Sequence, residues 1–87
     1  MLNQDSQQIV ARFFEAIEIL KRDKKIRGLK TFTNKYGINR GNFYKLQGNI
    51  LSNIFQPSWL AYLVRDFGVS SEWLLLGSGN FYSETAL

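Results

Sequence analysis

The side chains of this 87-residue chain that could do chemistry are mostly cations. Nine lysines and arginines fall between positions 21 and 45 (21, 22, 24, 25, 27, 30, 35, 40 and 45), against one acid, Asp23. Elsewhere Arg12 and Arg65 stand against six acids. The formal charge of +4 therefore divides into +8 on that segment and −4 on the remainder. Ammonium and guanidinium groups segregated in this way form a surface for a polyanion such as nucleic acid. The plainer alternative is a solvated, lysine-rich loop. Other chemistry is thinly supplied. The chain has no histidine and no cysteine, so the commonest general base, the commonest metal ligand, thiolate sites and disulfides are all excluded. Serine, aspartate, glutamate and lysine occur, but no pair is spaced to set a nucleophile beside a base, so no enzyme is expected. No cofactor, metal or small-molecule ligand is expected either.

The totals bound the scaffold for those cations. A hydrophobic share of 45% and a charged share of 21% are those of a folded globular chain, and the length suits one domain. That domain is expected over residues 1–80, with 81–87 as a loose tail. No apolar run approaches the ~20 residues of a membrane span, and MLNQDSQQ lacks the form of a signal peptide. The expectation is a soluble, cytoplasmic protein with no membrane partner.

The stretch KYGINRGNFYKL, residues 35–46, shows how the cations are to be positioned. Gly37 stops one helix, because a left-handed terminal residue costs glycine little, and Asn39 caps another only two residues later. The first of the pair is predicted from about Lys30 to Tyr36, with Phe32 and Tyr36 inward. The second runs to about Gln47, with Phe43 and Leu46 inward, and Gly48-Asn49 ends it. At 100° per residue, Gly41, Tyr44, Lys45 and Gly48 then face outward and Arg40 lies on the flank. Gly41 costs about 1 kcal/mol of helix propensity relative to alanine, which close approach to a ligand would offset. Two short helices joined by a tight glycine turn make a helix-turn-helix, here at about residues 29–48.

Around this pair, Asp5-Ser6-Gln7-Gln8 reads as a helix start. Val10, Phe13, Ile17 and Leu20, with Phe14, form an apolar stripe ending near Arg22 or Asp23. Residues 24–28 make a basic connector, and 50–56 an apolar irregular segment. Pro57-Ser58 opens a fourth helix with Trp59, Leu60, Leu63, Val64 and Phe67 as its buried stripe, and Gly68 ends it. Ser70 or Ser71 caps a last helix, Glu72 to Leu76. Gly77-Ser78-Gly79 is a helix stop, since a phosphate loop would need a lysine and a preceding strand. Both tryptophans are read as core. No strand-like alternation occurs, so the fold class is all-α, a compact bundle of about five helices.

The stretch LAYLVRDFGVSSEWLLLGSG, residues 60–79, resembles the end of the Xre/Cro and lambda-repressor-like DNA-binding domains. There a helix ends in Gly-Val-Ser and leads to a final helix with an acid, an aromatic and two leucines before a glycine. FTNKYGINRGNFYKL, residues 32–46, fills that family's helix-turn-helix. The resemblance spans about residues 9–79 and is nearest to small Bacteroides-type members. The chain departs from the family at Thr33, where alanine or glycine is usual, at Asn42, where a small residue is usual, and at Gln47, often glutamate.

The resemblance implies that bases in a DNA major groove are read from the start of the second helix of the pair and one turn on. On this chain that names Asn39, Arg40, Gly41, Tyr44 and Lys45. Arg40 suits guanine O6 and N7, Lys45 the same acceptors or a phosphate, and Tyr44 a phosphate or a thymine methyl, whereas Asn39 has helix capping as its plainer role. The phosphate-contacting residues are Gly28, Lys30 and Thr31, at a helix N-terminus that favours an anion, with Lys24, Lys25 and Arg27 nearby and Asn49 beyond the reading helix. Lys35, on the opposite side, is expected to be solvated. The partner implied is double-stranded DNA, and the role a transcriptional regulator, a repressor, without a ligand-sensing domain. Ile19 and Leu74-Leu75-Leu76 are candidates for a self-association seam. Homodimerisation, a family habit, would set two reading helices ~34 Å apart on a roughly palindromic site. The competing reading is a protein-interaction or RNA-binding module on the same fold, favoured by Gly41 at a reading position and by Thr33.

Overall fold

The structure, a computed structural model, describes residues 3–49 and 54–83. It is all-α, with helices α1 (Gln4–Arg22), α2 (Leu29–Tyr36), α3 (Arg40–Gly48), α4 (Ser58–Phe67) and α5 (Ser71–Leu76), and no strand longer than a single bridge among the described residues. None of these helices is long and apolar enough to cross a membrane. The chain divides into two compact units, Met1–Phe55 and Gln56–Leu87.

In the first unit, α1 begins earlier than expected. Its cap is Asn3, whose side-chain oxygen accepts from the Ser6 amide at 2.8 Å, so Asp5 lies in the first turn, where its charge suits the helix dipole. The expected stripe is inward: Val10, Phe13, Phe14, Ile17 and Leu20 are buried, and Ala16 joins them. Ile19, expected on the solvent side, is half-buried. The helix ends in two nested hydrogen bonds. The Lys25 amide donates to the Leu20 carbonyl at 2.8 Å and the Lys24 amide to that of Lys21 at 3.1 Å, with Lys24 left-handed at φ 63°. Gly37 ends α2 in the same conformation, φ 64°, and the Ile38 amide returns to the Thr33 carbonyl at 2.9 Å.

Phe13 is the hub of this unit's core. Its ring meets those of Phe14, Phe32, Phe43 and Phe55 edge-on, at centroid separations of 5.2, 5.8, 6.0 and 5.3 Å. Phe32 and Phe43 are themselves 6.0 Å apart, which joins α2 to α3. Edge-to-face aromatic pairs contribute roughly 0.5–1.5 kcal/mol each beyond area burial. This cluster therefore fixes the two short helices against α1, which neither could do alone at under 12 residues.

In the second unit, Gly68 and Gly77 end α4 and α5 in the left-handed region, at φ 71° and 75°. Ser70, the nearer of the two expected caps, accepts from the Trp73 amide at 3.3 Å. Trp59, Leu63, Val69 and Leu74 are buried. Three expectations are corrected here. Val64, placed in the buried stripe, is exposed, and Leu60 and Phe67 are only half-buried. Leu74 is in the core, so only Leu75 and Leu76 of the expected seam are exposed. Residues 81–83 are not loose. The Ser70 amide donates to the Phe81 carbonyl at 2.7 Å and the Ser83 amide to that of Gly68 at 2.8 Å, around a bridge between Val69 and Tyr82. Phe81 stands edge-on to Trp73, 4.8 Å between centroids. The remainder of that tail, 84–87, and positions 50–53 of the irregular segment lie outside the described residues.

Candidate nucleic-acid interface

Two fully buried side chains, Phe43 and Leu46, set how α3 is turned. Everything else on the helix, including Arg40, Gly41, Tyr44, Lys45 and Gly48, is exposed. Gly41 and Gly48 are seven residues apart and so differ by only about 20° around the axis. They lie opposite Phe43 and Leu46, which leaves the outermost line of α3 as bare backbone. Tyr44 and Lys45 flank it on either side and Arg40 stands at its start. The Tyr44 ring rests edge-on against Phe43, 6.5 Å between centroids, and remains 45% exposed with its hydroxyl end free to reach outward.

Asn39 does what its plainer reading requires. Its Oδ1 accepts from the Asn42 amide at 2.9 Å, which commits the oxygen and leaves the side-chain amino group to donate. This cap also bears on Gly41, because a Cβ built there would lie 3.2 Å from that same oxygen. A side chain at 41 would make the cap oxygen give by a few tenths of an ångström, a role for glycine that requires no DNA. At Gly48 nothing lies within 4 Å, and packing gives no reason for the missing side chain.

The second group of cations surrounds the start of α2. Lys24, Lys25, Arg27, Lys30 and Thr31 are exposed, and Gly28 is half-buried at the N-cap. No side chain caps α2, and its first intrahelical bond runs from the Phe32 amide to the Gly28 carbonyl at 3.4 Å. The amides of Leu29, Lys30 and Thr31 thus point out of the helix end, where the dipole favours an anion. Asp23, the one acid of this segment, lies 3.1 Å from the Arg22 guanidinium and offsets its charge. Among the described residues no ion pair engages Lys24, Arg27, Lys30, Arg40 or Lys45. Asn49 ends α3 with its amide shared between the Lys45 and Leu46 carbonyls, at 3.1 and 3.0 Å, and its side chain exposed.

The Lys35 side chain is exposed, as expected, with its ammonium 5.7 Å from the centre of the Tyr36 ring, in cation–π range. Thr33, the departure from the family pattern, is buried and its hydroxyl donates to the Lys30 carbonyl at 3.1 Å. The extra polar atom is satisfied inside the helix and disturbs nothing around it. Asn42 and Gln47, singled out only as departures, present exposed amides on the flanks of α3. Their spacing from Phe43 and Leu46 carried that signal. Among the described residues no three acidic side chains gather where a metal ion could be held.

The arrangement therefore offers two guanidinium or ammonium groups on α3 beside carboxamide and hydroxyl groups that can donate or accept, with a cationic, amide-rich helix start before it. Comparison with protein-family models, with curated proteins and with solved structures finds no match to the chain.

Proposed function

We propose that this chain is a sequence-specific double-stranded DNA-binding protein of the Xre/Cro, lambda-repressor-like kind, acting as a transcriptional regulator, a repressor. The observation that carries the reading is the exposed face of α3. Arg40 and Lys45, free of ion pairs among the described residues, stand on either side of a crest without side chains at Gly41 and Gly48, on a helix whose other side is locked by Phe43 and Leu46. A helix of that form can settle into the ~12 Å major groove, with Arg40 bidentate to a guanine and Lys45 on a second acceptor. Phosphates are held by Lys24, Lys25, Arg27, Lys30, Asn49 and the helix start at Gly28, with the free amides of Leu29 to Thr31. Self-association through Leu75 and Leu76 makes the protein a homodimer on a two-fold site.

Selection from random duplex DNA by the purified protein, beside the Arg40→Ala, Lys45→Ala variant, tests this. The expected result is a two-fold-symmetric motif for the wild type and its loss in the variant. Each bidentate base pair is worth roughly 1–3 kcal/mol of discrimination. Equal retention of DNA by both proteins without sequence preference sinks the reading. A second reading, an RNA- or protein-binding module on the same helices, is favoured by one observation: a Cβ at Gly41 would crowd the Asn39 cap oxygen at 3.2 Å, a role for the glycine apart from DNA.

A further inference from the structure

Four helices of this chain have a left-handed residue just past their end, and three of those residues are glycines: Gly37, Gly68 and Gly77, at φ 64°, 71° and 75°. The fourth, after α1, is Lys24 at φ 63°, the one described residue other than glycine with positive φ. A Cβ in this region crowds the following carbonyl, which is why such positions favour glycine. The hydrogen bonds of this helix end run from backbone to backbone, so a lysine adds nothing to them. Attraction to the C-terminal dipole does not explain it either, since Lys21 and Arg22 already occupy the last turn. The side chain is exposed, pairs with no acid among the described residues, and is flanked along the chain by Lys21, Lys25 and Arg27.

We propose that Lys24 is kept in this strained position for its charge: it holds a DNA phosphate beyond the groove that α3 reads, and the chain gives up fold stability at the α1 end to keep it there. The inference rests on the DNA-binding reading above and deepens it. The two nested backbone hydrogen bonds fix the chain at a point where a lysine on a flexible loop would sweep freely, so less ordering remains to be lost on binding. It belongs to the sequence-independent part of recognition, and its signature is salt dependence without base preference.

The test uses the full-length chain, as wild type, Lys24→Gly and Lys24→Arg, on a mixed-sequence duplex of ~30 base pairs, about three helical turns. Melting temperature and Kd at several salt concentrations are measured for each. The expected result for Lys24→Gly is a melting temperature higher by roughly 4–8 °C, a weaker Kd, and a log K against log salt slope shallower by about 0.9. Lys24→Arg should keep both the wild-type slope and the wild-type melting temperature. If the wild type binds and Lys24→Gly keeps the full slope, Lys24 touches no phosphate and this inference alone falls. A lower melting temperature for Lys24→Gly likewise overturns it, since the lysine then serves the helix end. A wild type that retains no duplex removes the DNA-binding reading, and this inference with it.

Discussion

Asn39 has two polar ends, and only its oxygen is committed, to the Asn42 amide. The two roles separate by substitution. Asn39→Ala removes the cap and should lower stability by about 1 kcal/mol, read from a denaturant midpoint. Asn39→Asp keeps an acceptor for the same amide and places a negative charge at the dipole's favoured end, so its stability should match the wild type. If α3 lies in a DNA groove, the same aspartate meets phosphate and base acceptors with no donor to offer. Affinity for duplex should then fall by about tenfold or more while the fold is unchanged, each 1.4 kcal/mol being a factor of ten. A variant as tight as wild type on DNA would place Asn39 outside the interface and leave it a cap alone.

The helix pair is the element on which the site depends, and its strength comes from rings. Phe43→Ala removes the member of α3 that meets Phe13, Phe14 and Phe32, and should cost about 3–5 kcal/mol by chemical denaturation, a large part of the 5–15 kcal/mol that small domains possess. A loss under 1 kcal/mol would mean that α3 is held by something other than this cluster. Most of this element was legible in the sequence because its signals are local. Glycine at 37 marks a backbone conformation, asparagine at 39 marks a cap, and apolar spacing marks a face. Where signals competed, the reading slipped. Asn3, Asp5 and Ser6 are all good capping residues within four positions, and only the geometry selects Asn3. Lys24 carries no such mark, because nothing local announces a left-handed lysine. On α4 and α5 apolar residues run consecutively, so periodicity could not separate buried Leu74 from exposed Leu75 and Leu76, or show that Val64 faces water.

For the whole molecule, the boundary between the two units is also a boundary of charge. Unit Met1–Phe55 carries ten basic residues against four acids, +6, while Gln56–Leu87 carries Arg65 against three acids, −2. The net charge of the first unit attracts a polyanion and that of the second does not. The sequence showed the basic segment plainly but not this division, since charge can be counted along a chain whereas a unit is defined by which residues pack together. The pairing of residues 81–83 with 68–70 was invisible for the same reason: it is a backbone pairing between distant positions, with no period to read.

That pairing makes the end of the described chain a reporter. The Ser70 amide, just before α5, and the Ser83 amide, fourteen residues from Val69, are each held by a carbonyl of the other segment. Neither can meet solvent deuterium unless the two segments part, so both hydrogens should exchange through one opening event at one rate. Phe81→Ala, which removes the ring standing against Trp73, should cost roughly 1–2 kcal/mol of that opening energy and speed both amides about tenfold together. Amides in α3 should keep their own pace. Unequal acceleration at Ser70 and Ser83 would show two independent hinges where the hydrogen bonds describe one latch.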